Sequence, residues 1–280
     1  MIVGVDTIEA GTRYGFFTDT SVCIGCKACE VACKEWNGIT SEVGALTGNS
    51  YDNTGSLDAT SWRHVAFIEK HDRANRTDVV PATARGIADV SRDLVWLMSS
   101  DVCKHCTEAA CLDVCPTGSL VRTEFGTVVV QPDICNGCGY CVPACPFGVI
   151  GKNEKDGRAG KCTLCYDRLK GGDQPACAQA CPTESIQFGP LSELRDRAAT
   201  RLRSLHDDGV GEAILYGNDP NDGIGGAGAM FLLLDTPDVY GLPTEPRTTT
   251  RDLGQMWRAA AKAAVGLVIG VALVITGDRS

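Results

Sequence analysis

No cluster of basic residues, no apolar run behind a positively charged start and no recognisable acid–base or nucleophilic constellation occurs in the sequence. Each absence excludes something. A nucleic-acid binder needs a clustered basic surface, and a formal net charge of −9 with scattered Lys and Arg argues against nucleic acid as a partner. The first positive charge comes only at Arg13, so the basic start and apolar core of a signal peptide are missing. The chain is expected to stay in the cytoplasm or to cross a membrane as a passenger on another protein. Histidine is scarce, and His64 and His71 read as surface or packing residues because no ligand spacing joins them to other donors. His105 reads as solvent-facing or packed behind the loop that carries it, and His206 as a residue near a helix end, where it would favour the dipole. Without catalytic groups, the chain reads as a carrier and not as the place where bonds change.

What the sequence has instead is cysteine: sixteen in 280 residues, too many for packing alone. They do not read as a disulfide framework, which belongs to short chains with scattered pairs. All sixteen fall into four groups of four with none left over. The third group, Cys135, Cys138, Cys141 and Cys145 followed by Pro146, has the C-x₂-C-x₂-C-x₃-C-P spacing of loops that wrap cubane iron–sulfur clusters. Such a cluster needs thiolates converging on four corners, and a tight loop supplies three of them. The first group, Cys23, Cys26, Cys29 and Cys33, keeps the spacing but has Lys34 in place of proline. The second, Cys103, Cys106, Cys111 and Cys115-Pro116, has two extra residues in its middle gap. The fourth, Cys162, Cys165, Cys177 and Cys181-Pro182, has a long gap carrying Asp167, Arg168 and Gly171-Gly172. Zinc sites use paired C-x₂-C arms or Cys/His mixtures and do not call for a third cysteine in the same loop. A zinc-stapled scaffold without redox function is nevertheless the alternative of a different class, and brown colour bleached by dithionite separates the two.

Between these groups the sequence predicts an α+β fold. Residues 14–18 read as a strand, and the alternating Trp62-Arg-His-Val-Ala-Phe-Ile-Glu69 as another, after a polar loop from Gly44 to Ser61. Two short strands are expected on either side of Phe125-Gly126. That gives cysteine loop, helix, hairpin, cysteine loop, helix, so the second and third groups form one ferredoxin-like module. By exclusion the first and fourth form another. The predicted division is 14–36 plus 154–190 for one dicluster module, 95–153 for the other, 37–94 as an insertion, and 191–252 as an extension. In the extension, Leu191, Leu194, Ala198, Leu202 and Leu205 recur at helical spacing, and two strands are expected at Ala213-Ile-Leu-Tyr216 and Ala229-Met-Phe-Leu-Leu-Leu234. The intervening Gly223-Ile-Gly225-Gly-Ala-Gly228 satisfies G-x-G-x-x-G on paper. It runs into a strand where a dinucleotide site would open a helix, so no nucleotide is expected.

Residues 257–276 are apolar apart from Arg258 and Lys262. Twenty helical residues at about 1.5 Å each span about 30 Å, enough for a single transmembrane helix. The charges lie in the first turns, where basic stems can reach outward and Trp257 can sit at the interface. Gly266-Leu-Val-Ile-Gly270 presents a G-x-x-x-G face suited to close packing against another membrane helix.

Taken together the sequence resembles the four-cluster electron-transfer (beta) subunit of respiratory, membrane-bound formate dehydrogenases. The four cysteine groups in this order are shared with subunits of nitrate, polysulfide and dimethyl sulfoxide reductases and some hydrogenases. More specific are Cys29-Glu-Val-Ala-Cys33-Lys-Glu-Trp-Asn37, Tyr51-Asp-Asn53, Ser61-Trp62, Gly241-Leu-Pro243 and the single C-terminal helix. The resemblance implies four [4Fe–4S] clusters and two partners: a catalytic (alpha) subunit holding molybdenum or tungsten on pterins, and a haem b membrane (gamma) subunit that reduces quinone. It implies that the fourth cysteine of each group crosses to its neighbour's cluster, as in ferredoxins. The ligand sets are then Cys23, Cys26, Cys29 with Cys181; Cys162, Cys165, Cys177 with Cys33; Cys103, Cys106, Cys111 with Cys145; and Cys135, Cys138, Cys141 with Cys115. It further implies a cluster domain on the outer face of the cell membrane, delivered by the catalytic subunit. The charges point the other way, since Arg247, Arg251, Arg258 and Lys262 precede the helix and only Arg279 follows it. A large folded domain carried across by a partner is less bound by that rule.

Overall fold

The computed structural model describes residues 8–39, 48, 51–71 and 94–277. The N-terminal residues 1–5, most of the loop before Asp52 and Arg279 lie outside that set, as does the side chain of His71.

In sequence order the elements are β1 (Tyr14–Asp19), α1 (Ala28–Trp36), β2 (Arg63–His71), β3 (Leu94–Val102), α2 (Ala110–Asp113), β4 (Leu120–Arg122), β5 (Val128–Val130) and α3 (Cys141–Ala144). They are followed by β6 (Gly151–Lys152), β7 (Ala159–Gly160), α4 (Tyr166–Lys170), α5 (Ala176–Gln179), β8 (Ile186–Pro190), α6 (Leu191–Asp207), β9 (Ile214–Tyr216), β10 (Ala229–Leu233) and α7 (Leu253–Gly277). Two ferredoxin-like dicluster units, mixed helix and strand content and one C-terminal apolar helix make up the fold.

One four-stranded sheet, ordered β8-β1-β10-β9, stiffens the molecule. β1 runs antiparallel to β8 and parallel to β10, so the strand that leads into the first cysteine loop is flanked by strands from residues 186–233. Both faces of β1 and β10 are buried, and strand alternation explains how. Tyr14, Phe16, Ala229, Phe231 and Leu233 face the cysteine-bearing core. Phe17, Met230 and Leu232 face α6, where they meet Leu191, Leu194, Ala198 and Leu205. Phe16, Phe17 and Phe231 are fully buried, and each such burial stabilises the fold by roughly 1.5–3 kcal/mol.

The expected strand near residue 62 pairs with a partner that the alternation did not reveal. β2 and β3 form an antiparallel arm from Arg63↔Val102 to His71↔Leu94. The middle of that arm packs over the first cysteine loop, where the space beside Gly25 is filled by Phe67 and Met98. Elsewhere α1 packs on α5 and α2 on α3, which brings the first cysteine group to the fourth and the second to the third.

The helix α7 carries a span, Leu253–Ile275, with a mean hydropathy of 1.9 and no part of it buried against the rest of the protein. Its length and composition fit a single-pass membrane anchor.

Candidate metal centres

Each cysteine group opens with the same backbone device. In the four C-x₂-C turns the residue before the second cysteine is left-handed: Gly25 (φ 64°), His105 (φ 45°), Gly137 (φ 72°) and Leu164 (φ 59°). This bend tightens the loop and turns backbone N–H groups toward sulfur, as where Leu164 N–H donates to Cys162 Sγ at 3.3 Å. Glycine enters the left-handed region freely, whereas His105 and Leu164 do so at a cost of roughly 1–2 kcal/mol each. A bulky residue held there signals a constraint stronger than local preference. The third cysteine then sits on a helix, as Cys29 on α1, Cys111 on α2, Cys141 on α3 and Cys177 on α5.

None of the sixteen cysteines is in a disulfide. Their electrostatic neighbours fall into four sets. Burial pushes the Cys33 thiol up, and the charges of Cys162, Cys177 and Cys165 push it further. Burial raises Cys106 likewise, with Cys103, Cys145 and Cys111 beside it. Cys141 is raised by burial and faces Cys135, Cys138 and Cys115. Cys23 is raised by burial and faces Cys181 and Cys26. A single cavity, moreover, is lined by Cys23, Cys26, Cys29 and Cys181 together with Ser100 and Ser185. In every set one thiol comes from the partner loop.

Ligation requires thiolates, yet burial holds Cys29 at about 11, Cys165 at about 11 and Cys111 at about 12. Four buried thiolates side by side need a cationic core among them, and binding of such a core expels the protons. The donor set therefore fits iron–sulfur cubes, whose ligands are cysteine thiolates four at a time. Among the described residues no three His, Cys, Asp or Glu side chains converge tightly enough to grip a single ion. Cys115 shifts the opposite way: it is lowered to about 6, since hydrogen bonds from Ser119, Leu120 and Thr117 outweigh the burial that raises it. Its Sγ lies 3.3 Å from Ser119 Oγ.

The sets differ in exposure. Cys33, Cys162, Cys165 and Cys177 are all buried, whereas Cys26 and Cys138 are the two exposed members of the sixteen. Apolar side chains stand exposed beside both: Ile24 near Cys26, and Ile134 and Tyr140 near Cys138.

Three cations that motif spacing did not pick out are buried among the thiols: Arg63, Lys104 and Lys161, each 1% exposed. Burial alone would lower Arg63, but thiolate charge at Cys177, Cys29, Cys162 and Cys33, the form these residues take as ligands, raises it. Lys104 pairs with Asp101, and its ammonium stands over the rings of Phe231 and Phe147 at 4.7 and 5.2 Å. Lys161 donates to the carbonyls of Val128 and Cys162. A signal existed for two of them, since Lys104 follows Cys103 and Lys161 precedes Cys162. Arg63 had none.

His105 is not solvent-facing. It is 2% exposed, and its Nδ1 accepts the Val128 N–H at 3.1 Å. Burial and the nearby Lys161 and Arg122 hold it neutral. His64 is buried and pairs with Asp52 at 2.7 Å, while His206 meets the Ala213 carbonyl at 2.8 Å. The glycine-rich 223–228 segment runs into β10, and it backs the second cysteine loop. Thr107 N–H donates to the Gly226 carbonyl at 3.0 Å and Gly228 N–H to the Lys104 carbonyl at 2.7 Å.

Known proteins share cysteine-bearing domains of this kind. Two family models, each described as a 4Fe-4S dicluster domain, match residues 22–119 and 94–191. The formate dehydrogenase iron-sulfur subunit of Haemophilus influenzae is 39% identical over 90% of this protein and 75% of its own length. The nitrate-inducible formate dehydrogenase iron-sulfur subunit of Escherichia coli K12 is 39% identical over 89% of this protein and 79% of its own length. One subunit of the anaerobic dimethyl sulfoxide reductase of E. coli K12 is 37% identical over 66% of this protein and 78% of its own length.

Proposed function

Because this protein belongs to the formate dehydrogenase iron–sulfur subunits, which transfer electrons and are not catalytic, we propose that its sixteen cysteines hold four [4Fe–4S] clusters in one relay. The ligand sets are Cys23, Cys26, Cys29 and Cys181; Cys33, Cys162, Cys165 and Cys177; Cys103, Cys106, Cys111 and Cys145; and Cys115, Cys135, Cys138 and Cys141. The observation that carries this reading is the four-by-four grouping of thiols, with one member of each set supplied by the paired loop. The modules follow from it: 14–36 with 154–190, and 95–153.

When bound, each cluster supplies a one-electron carrier whose potential depends on burial, charge and hydrogen bonds to sulfur. The protein's own contribution is to line the sets up. Cys29 and Cys177 both face Arg63, Cys162 faces Cys103, and Cys111 faces Cys141. The order first, fourth, second, third motif follows, and the two exposed cysteines, Cys26 and Cys138, fall in the terminal sets. Electrons enter past Cys26 from a molybdenum- or tungsten-pterin catalytic subunit and leave past Cys138 to a haem b subunit in the membrane. The anchor α7 docks to that subunit through Gly266 and Gly270, with the cluster domain on the outer face. No nucleotide and no nucleic acid takes part.

Formate is favoured over a sulfoxide as the substrate of the catalytic partner. The likeness to formate dehydrogenase subunits spans about 90% of the sequence, against 66% for the dimethyl sulfoxide reductase subunit. Iron, sulfide and zinc analysis of the anaerobically purified complex, with electron paramagnetic resonance of the dithionite-reduced protein, tests the reading. About sixteen irons per polypeptide and four interacting cubane signals are expected; a colourless, zinc-loaded protein would reject it.

A further inference from the structure

Arg63 opens β2 at the junction of the first two cysteine sets, where its guanidinium is wholly enclosed. Nη2 donates to Cys177 Sγ at 3.3 Å. Nη1 donates to the carbonyl and to Oγ of Ser100 on β3, at 3.2 and 3.3 Å. Ser100 Oγ in turn lies 3.2 Å from Cys29 Sγ. Arginine has donors and no acceptor, so Ser100 Oγ accepts from Arg63. A ligating Cys29 is a thiolate with no proton to give, so in the cluster-bound state the Ser100 hydroxyl donates to it. One guanidinium feeds Cys177 directly and Cys29 through a hydroxyl, with Phe16 stacked 4.7 Å from it. Its Nε, also buried, has no acceptor among the described residues.

We propose that Arg63 is a shared electrostatic bridge between two adjacent clusters, raising the reduction potentials of both through a fixed charge and a two-armed hydrogen-bond relay. This rests on the ligand sets given above, in which Cys29 and Cys177 belong to different clusters. Each electron accepted makes a thiolate-bound cluster more negative. A buried cation and donors to sulfur stabilise that state more than the oxidised one, which moves the potential upward. The arms are unequal. Ser100→Ala cuts only the path to Cys29, whereas Arg63→Gln removes the charge, the bond to Cys177 and the donor behind Ser100, whose own hydroxyl stays beside Cys29. Arg63→Lys keeps a charge without the planar fork.

Potentiometric titration of the anaerobically purified complex, followed by electron paramagnetic resonance, tests this. The signal lost in Cys26→Ser marks the first set, and that lost in Cys165→Ser the second. Arg63→Gln is expected to shift both midpoints to more negative values, Ser100→Ala to shift the first alone, and Arg63→Lys to recover part of both shifts. Midpoints unchanged in Arg63→Gln, or equal shifts of both in Ser100→Ala, would overturn the bridge. Should Arg63→Gln fail to assemble, unchanged midpoints in both Arg63→Lys and Ser100→Ala would overturn it equally. A wild-type complex without four cluster signals would instead overturn the relay on which the bridge depends.

Discussion

Trp36 donates its indole N–H to Asp167 Oδ2 at 2.9 Å, joining residues 131 positions apart. The bond ties the end of the first cysteine helix to the long gap of the fourth cysteine group, and the guanidinium of Arg168 stacks over the same ring at 4.3 Å. That gap thus serves as a clasp between the paired loops. Trp36→Phe, which keeps a ring and loses the N–H, is expected to cost about 1 kcal/mol. Trp36→Ala also loses the cation–π contact and should cost roughly 0.5–1 kcal/mol more on that account. Thermal denaturation monitored at the cluster absorbance checks the order wild type, Trp36→Phe, Trp36→Ala.

The close approach of β1 to the 223–228 segment allows no side chain at Gly15. A Cβ there would lie 2.0 Å from the Gly228 carbonyl oxygen, and that is rigid backbone. Gly15→Ala is expected to destabilise by about 1–3 kcal/mol or more, since the strands must part. Lower yield and lower iron content per purified polypeptide, measured against wild type, are the expected signs.

Much of this architecture is legible in the residues themselves. The cysteine spacing is local, because a cube-binding loop is written in a dozen consecutive residues, and the strand at residue 14, the hairpin around Phe125-Gly126 and helix α6 follow from short-range alternation or periodicity. What escaped is non-local. β3 alternates poorly, with Val95 and Trp96 both exposed, and becomes a strand by pairing with β2. Arg63 lies in an alternating run that reads as a half-solvated face. Only the convergence of Cys29, Cys177 and Ser100 from three other segments makes a buried cation stable there. His105 takes the packed one of the two places the sequence allowed, and the choice rests on Val128 and Lys161, which are remote in sequence.

Two carboxylates give the arm on β2 and β3 a pH dependence. Burial alone would raise Asp235, but its bonds to Lys70 and the Thr236 N–H lower it. Asp52 is lowered in the same way by Gly55 N–H, His64 and Lys27. A carboxylate whose folded pKa lies below its ordinary value of about 4 contributes stability that is present above that value and lost as pH falls through the folded one. Asp235→Asn and Asp52→Asn are therefore expected to be less stable than wild type at neutral pH. The differences should shrink as the pH falls below the ordinary carboxylate range, as read from unfolding midpoints across the pH range.

The anchor makes its own prediction. Deleting residues 253–280 is expected to release the protein from the membrane fraction while its iron content stays at the wild-type level, because none of the helix is buried against the rest of the molecule. Gly266→Leu with Gly270→Leu should keep membrane association and weaken co-purification of the membrane partner. Fractionation and affinity purification of the tagged protein distinguish the two outcomes.

The relay also predicts a polarity. Cys138→Ser, at the exit, should lose about four of about sixteen irons and abolish quinone reduction while substrate still bleaches the other clusters. Cys26→Ser, where electrons enter, should lose as much iron and leave the other clusters oxidised when substrate is added. Iron analysis and stopped-flow absorbance separate these behaviours.

The most direct test of the whole account is to add formate to the complex purified anaerobically from membranes and follow the cluster absorbance. Rapid bleaching, matching in extent that produced by dithionite, is the predicted result. Bleaching by dithionite with none by formate would contradict the assignment of a formate-oxidising partner.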